Sequence, residues 1–237
     1  MSSIVQAIKF ADVQGNDTFT KVWLPLFGAS GSTTCLDVNA GGSAHTWTAQ
    51  GGAAISTTNS KFAGSSLLLD ASGDYITTPD SADFNVAASN FVYDFWLKRN
   101  ASVGTRVGLF GQSDAAGATS SIDLEINTSN VLRALFTYNS GASSVVVTGA
   151  TLTDTTAFHH IAVIRSGNNF TIALDGTLGS PGSVTGLTCD NSTNSFSVGR
   201  LGAFGNTTDG NIQAFRLSVG TDRGWSANFT APQQPYS

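Results

Sequence analysis

Across residues 61–99 two apolar runs, 65–69 and 91–97, bracket a loop of Gly, Ser, Asp and Pro. In the second run Phe91, Tyr93, Phe95 and Leu97 fall on one side of the chain, and Val92, Asp94, Trp96 and Lys98 on the other. A period of two is that of a strand with one face in a core. Asp94 and Trp96 then either line a concave surface or pack between sheets. Gly73-Asp74, Pro79-Asp80 and Ser81 supply the turn chemistry between the runs.

The same punctuation recurs along the chain. Residues 22–27 read as the first strand, and Pro25, which has no N–H to donate, makes it an edge or irregular one. Further short apolar runs occupy 108–111, 122–126, 132–138, 145–147, 160–164, 170–174, 196–200 and 211–218, most of them bounded by Gly, Asn, Asp or Ser. Short strands with turn signals every ~8–12 residues predict an antiparallel sandwich or barrel. Asp175-Gly176, directly after the 170–174 run, predicts a tight hairpin. Residues 1–20 read as an N-terminal arm, with Ile4, Val5, Ile8 and Phe10 apolar and Gly15-Asn16-Asp17 as a break. The arm is either a passive terminus or a segment that orders against a neighbouring subunit. Residues 21–237 are expected to form one domain.

Composition supports an all-β chain. Only 11% of the 237 residues are charged, against a typical ~25%, so there is little to clothe long exposed helices. Phe, Ile, Val and Leu recur throughout, which excludes general disorder, and the length suffices for a core without staples. The net charge of −5 and the lack of a basic cluster argue against a nucleic-acid partner. No apolar run approaches the ~20 residues of a membrane span. The opening MSSIVQAIKFADV lacks the basic and long apolar regions of a secretory signal, so synthesis and folding in a cytoplasm are expected. Cys35 and Cys189 are either two reduced thiols or a disulfide tying early to late chain; two Cys without clustered His do not make a zinc site. His159 and His160 face opposite sides of a strand and cannot chelate one metal together, and His45 has no visible partner. No G-x-S-x-G elbow is present.

The stretch KFAGSSLLLDASGDYITTPDSADFNVAASNFVYDFWLKR resembles the concanavalin A-like lectin/glucanase superfamily, in particular the laminin-G-like domains carried on phage particles. The upstream words VWLPLFGASGSTTCLDVNAGGSAHTWTAQGGAAIST resemble the opening of such domains, FHHIAVIRSGN resembles their WHHIAVVRSGNT with Phe158 at the usual Trp, and GNIQAFRLSVGTDRGWSANFTAPQQPY resembles their ending. The likeness covers roughly residues 20–236. It implies a jelly-roll-like sandwich of two antiparallel sheets. It also implies a non-enzymatic surface protein of a tailed phage, acting in capsid decoration, as cement or with a fibre, made in the host cytoplasm and carried on the virion surface. Its expected partners are a capsid or tail protein and further copies of itself, as a trimer, with cell-surface glycans as a further ligand. The alternative is a dedicated carbohydrate-binding adhesin, and the weakest reading is a glycoside hydrolase.

Each reading points to residues. The glucanases of this superfamily carry E-x-D-x-E on a strand; here the string is Ser121-Ile122-Asp123-Leu124-Glu125. Asp123 and Glu125 share a side at ~6.6–7 Å, a spacing compatible with glycoside hydrolysis, but Ser121 stands where the nucleophile belongs. The two carboxylates are therefore expected to be polar residues on a solvated strand face. His160 matches a strand histidine of the family and reads as a packed, hydrogen-bonded core residue. Calcium is the superfamily's usual ion and needs 6–8 oxygens. Asp37, Asp70, Asp74 and Asp209 are weak ligand candidates, with plain Asx-turn chemistry as the competing reading. The acidic pair common near the C-terminus of relatives is Gln213-Ala214 here, so no cofactor is expected. Candidate glycan contacts are Trp225 after Gly224, Phe204 and Asn206 in a Gly-rich loop, and Arg106 and Asp114 flanking another; against each stands the plainer role of loop anchor.

Overall fold

The alternation at residues 91–97 becomes the middle of the larger of two sheets. A computed structural model describes residues 15–62, 64–70, 73–102, 104–114, 120–202 and 207–236. In chain order the strands are β1 (Thr20–Leu24), β2 (Thr48–Gln50), β3 (Ala54–Ser56), β4 (Ser66–Asp70), β5 (Tyr75–Thr78), β6 (Phe91–Arg99), β7 (Val107–Gly111), β8 (Ile122–Ile126), β9 (Val131–Tyr138), β10 (Ser143–Thr151), β11 (His159–Ser166), β12 (Asn169–Leu174), β13 (Thr177–Leu178), β14 (Gly182–Ser183), β15 (Phe196–Val198) and β16 (Asp209–Val219). Nine of them form one sheet in the order β13-β12-β11-β6-β16-β4-β3, with β1 added on β16 and β14 on β12. The other seven run β10-β9-β8-β7-β15-β5-β2. Neighbouring strands are antiparallel, as in the β6–β11, β6–β16 and β8–β9 pairs.

The inner faces meet in an aromatic core. Phe91, Tyr93, Phe95 and Leu97 from β6 pack against Phe110, Leu124, Phe136, Phe196 and Phe215. Tyr93 stacks on Phe110 at 4.7 Å between ring centroids and Phe84 on Phe196 at 4.9 Å, separations at which aromatic pairs add to area burial. β1 ends at Leu24, before Pro25, and pairs with β16 alone, the edge placement that a missing N–H dictates. Asp175 and Gly176 both take positive φ, 50° and 82°, which is the signature of a type I′ turn, and they join β12 to β13.

The sequence pattern misjudges the second face of β6. Val92, Asp94 and Trp96 are as buried as the core-facing set. The chain after β16 crosses this outer side of the nine-stranded sheet and lays Trp225, Phe229, Ala231 and Tyr236 over it. The fold therefore has a third layer, and Asp94 and Trp96 neither line a concave surface nor pack between the two sheets. Asp94 accepts from Arg216 Nε at 2.8 Å and from the Tyr236 hydroxyl, and lies 3.2 Å from His160 Nε2. Arg216 also donates to the Gly15 carbonyl at 3.0 Å, and its guanidinium sits 3.4 Å from the centre of the Tyr236 ring. Residues 15–20 of the expected arm are thus built into the fold: Gly15 is buried, and Asp17 is ion-paired with Arg223 at 2.6 Å. Residues 1–14 lie outside the described residues.

Candidate functional site

β8 presents Ile122, Leu124 and Ile126 to the core and, by alternation, Asp123 and Glu125 to the outer side of the seven-stranded sheet. The expectation that these two carboxylates sit on a solvated face does not hold: both are buried. Glu125 is clamped by two guanidiniums, Arg106 Nε on one oxygen and Arg133 Nη1 on the other at 2.8 Å. Asp123 accepts from the Gln112 N–H at 3.2 Å, from the Ser120 hydroxyl at 2.6 Å and from the Ser113 hydroxyl. Burial pushes the Asp123 carboxyl up; the two hydroxyls and the Gln112 N–H oppose this, the Glu125 charge adds to it, and the net displacement is upward. Where an E-x-D-x-E strand would carry a nucleophile, the Ser121 hydroxyl lies 3.7 Å from the Cys189 thiol.

Asp123, Ser113, Ser120 and Arg106 line a groove. One cavity of about 210 Å³ is lined by Arg106, Ser113, Ser120, Asp123, Leu135, Thr137, Gly141, Ser144 and Leu201. A second, of about 320 Å³, shares Ser120 and Gly141 with it and adds Ser140, Asp190, Asn191 and Ser192. One wall exists because β7 carries Gly108: a Cβ there would stand 2.4 Å from the Leu201 nitrogen, so only glycine lets residues 200–201 lie across the strand. The far end is fixed by Asp190, which accepts from the Ser140 and Gly141 N–H groups at 3.1 and 2.7 Å. Gln112 ties the floor to the rim through Asp80 at 2.7 Å and the Asn194 carbonyl at 2.8 Å. Because Ser113 and Ser120 donate to Asp123, their oxygens offer lone pairs to the groove. Arg106 lines the groove and Arg133 holds the other oxygen of Glu125 beside it, each about a third exposed.

Three of the five predicted glycan contacts are described, and they divide between two faces. Arg106 lines the groove, and half-buried Asp114 follows Ser113 at its rim. Phe204 and Asn206 lie outside the described residues, although Leu201, just before them, forms the wall. Trp225 is on the opposite side of the sandwich, stacked on Phe229 at 4.2 Å and edge-on to His160. The sequence reading missed Arg133, Ser113, Ser120 and Asp190. A signal for Arg133 was present: counting back from the Asn127–Asn130 turn pairs Glu125 with Arg133, an opposite-charge cross-strand pair.

The candidate calcium ligands hold local structure. Asp37 accepts from the Trp23 N–H at 2.9 Å and lies 2.7 Å from His45 Nδ1, so His45 does have a partner. Asp74 accepts from the N–H groups of Gly52 and Asp70, and Asp209 from the Asn100 side chain at 2.8 Å. Asp70 and Asp209 are opposite one another on β4 and β16. Among the described residues no group of three His, Cys, Asp or Glu side chains could hold a metal ion. Cys35 and Cys189 are separate buried thiols rather than a disulfide. Burial pushes Cys35 up to about 11 and Cys189 up to about 12, the range of inert structural thiols. His160 is buried against Asp94, and His159 faces away from it toward Asp154 and Asp175 at 3.0 and 2.6 Å.

The same sandwich recurs in solved structures. The binding domain of Paraclostridial Mosquitocidal Protein 1 is 12% identical with a TM-score of 0.64, over 90% of this chain and 50% of that one. The receptor binding domain of botulinum neurotoxin D is 10% identical with a TM-score of 0.63, again over 90% and 50%. The binding domain of Botulinum Neurotoxin DC, solved in complex with SialylT, is 15% identical with a TM-score of 0.63, over 84% and 48%. The chain thus spans about half the length of these structures, and at such identities the likeness is one of fold. No curated protein matches the sequence significantly. The family described as the Concanavalin A-like lectin/glucanases superfamily, of the laminin-G type, matches residues 70–220, from the end of β4 to just past β16. That span contains β6, the clamped carboxylates of β8 and every strand of the groove, and the chain belongs to the concanavalin A-like lectin/glucanases superfamily.

Proposed function

We propose that this domain is a non-enzymatic carbohydrate-binding module whose groove on the seven-stranded sheet takes a sugar chain. The observation that carries the reading is the Asp123–Ser113–Ser120 floor beside the Arg106–Glu125–Arg133 clamp. Asp123, Glu125 and Arg133 are held on strands, the two serines are fixed by their bonds to Asp123, and the charges of the clamp are already satisfied, an arrangement suited to binding hydroxyls. Neither carboxylate is placed for hydrolysis, since one is clamped by two arginines and the other is buried under two hydroxyls. The test is a glycan array followed by titration of the strongest hit. Arg133→Ser is expected to weaken binding about tenfold, or ~1.4 kcal/mol. Absence of any glycan ligand, or undiminished affinity in Arg133→Ser and Ser120→Ala alike, refutes the groove.

The finer reading places the module on the surface of a tailed-phage particle, as a decoration, cement or fibre-associated protein bound to a capsid or tail partner. It rests on the sequence resemblance. A dedicated adhesin with no structural role is the alternative, and the two differ in assembly. Leu36 and Val38, 67% and 46% exposed, line a cavity of about 250 Å³ with Asn16, Pro25, Cys35 and Tyr236. We assign this cavity to the arm of a neighbouring copy, whose Ile4, Val5, Ile8 and Phe10 supply apolar side chains to fill it. The protein is then expected to have a trimer's mass in solution, and removal of residues 1–14 to leave a folded monomer. A full-length monomer, or an oligomer that survives the deletion, rules the arm out.

A further inference from the structure

We infer a second ligand site, on the opposite face of the sandwich, that takes a neutral sugar residue against Trp225. It shares the carbohydrate reading of the fold but not the groove. Between the β11–β12 hairpin and the chain after β16 lies a pocket of about 390 Å³, within the size range of small-molecule sites. Trp225 forms one side. It is half-buried, and its ring is held by the Phe229 ring at 4.2 Å and an angle of 2°. An indole fixed in this way keeps a flat apolar surface in place without losing rotamer freedom on binding.

The polar groups around it have one functionality committed and the other left over. The Asn228 carbonyl oxygen accepts from the Leu178 N–H at 3.0 Å, which orients the amide and leaves its NH₂ as a donor. Thr171 donates to the Gly179 carbonyl at 3.0 Å and Ser166 to Asp222 at 2.6 Å, so both hydroxyl oxygens keep acceptor lone pairs. Asn169, at the exposed start of β12, adds a second amide. A flat apolar wall with separate donors and acceptors at its edge complements a pyranose, which has a C–H face and a hydroxyl rim. Among the described residues no charged side chain lines the pocket. A carboxylate or phosphate placed there would lose its hydration without a partner, so the ligand class is an uncharged saccharide. The groove on the other face, with Arg106 and Arg133, is distinguished by charge.

The test titrates full-length protein with neutral gluco-, galacto- and manno-oligosaccharides and with one sialylated oligosaccharide, read by tryptophan fluorescence and ligand-observed NMR. A neutral oligosaccharide is expected to bind, about tenfold more weakly in Asn169→Ala and in Trp225→Phe, and unchanged in Arg133→Ser. Asn169 is exposed, so its variant keeps the fold even where removal of the whole indole would not. Neutral binding that is insensitive to Asn169→Ala and Trp225→Phe overturns the inference, as does binding of the sialylated oligosaccharide alone. Neutral binding lost only in Arg133→Ser overturns it too and leaves the groove standing. Loss in the Asn169 and Trp225 variants only supports this site, and the groove then stands or falls on its own ligand, the one whose binding weakens in Arg133→Ser.

Discussion

Asp94→Ala is expected to lose about 3–5 kcal/mol of unfolding free energy, the usual consequence of removing one partner of a buried ion pair. Arg216 is 1% exposed, and in the variant its charge remains in the interior with the Gly15 carbonyl, the Tyr236 and Trp225 rings and the more distant Asp17 carboxylate as neighbours. Typical domains have only ~5–15 kcal/mol in total, so urea unfolding measures the change easily. Asp94→Asn keeps the shape and removes the charge, and should fall between wild type and Asp94→Ala. Acid provides an independent reading. Burial alone would raise the Asp94 carboxyl; the Arg216 charge, His160 and the Tyr236 hydroxyl outweigh burial and hold it below its ordinary value of 3.8. A carboxyl depressed in the folded state contributes stability that is present above the unfolded value and lost as pH falls through the folded one. Wild type should therefore lose stability below about pH 4 more steeply than Asp94→Ala. Asp17, held low first by its Arg223 hydrogen bond and in part by the Arg216 charge, titrates in both proteins. A loss under about 1 kcal/mol in Asp94→Ala, with parallel acid curves, would show that the network carries little of the fold's stability.

The second large effect separates two turn glycines. Gly167 and Gly176 both have positive φ, 58° and 82°, so alanine at either costs about 1–2 kcal/mol in backbone strain. They differ in what a side chain would meet. Nothing lies within 4 Å of a Cβ at Gly167, whereas at Gly176 it would stand 1.9 Å from the Phe229 carbonyl oxygen. Phe229 also donates its N–H to the Gly176 carbonyl at 2.9 Å, which pins the outer layer to the β12–β13 turn. Gly176→Ala should therefore cost more than about 3 kcal/mol, with loss of hydrogen-exchange protection across residues 225–231 and a shift in Trp225 emission. Gly167→Ala should show the strain cost alone. Equal costs, with the outer layer protected in both, would mean that Phe229 moves aside freely.

The strands were legible where the period ran long enough. β6, β8, β9, β11, β12 and β16 fall where alternation or a bounded apolar run predicts them, and Asp175-Gly176 turns as its chemistry demands. β2, β13 and β14 have two or three residues each, too few to carry a period. The third layer was illegible for a different reason. Trp225, Phe229 and Tyr236 follow no repeat, and the partner that buries Tyr236 is 142 positions upstream. At the groove, the Glu125–Arg133 pair could be counted across a turn, but the serines on Asp123 come from an irregular segment whose path no local pattern encodes.

The position of β16 has a consequence for biosynthesis. This strand fills the gap between β6 and β4 and also pairs with β1, Thr20 lying against Ser218. Everything it joins leaves the ribosome earlier. Until residues 209–219 emerge, β6 has an open edge and the two halves of the large sheet have no common neighbour. Strand-by-strand folding during translation is therefore closed to this domain. Nascent chains must wait with an apolar β-edge exposed, and a chain that stalls before β16 is a template for intermolecular pairing rather than a smaller folded unit.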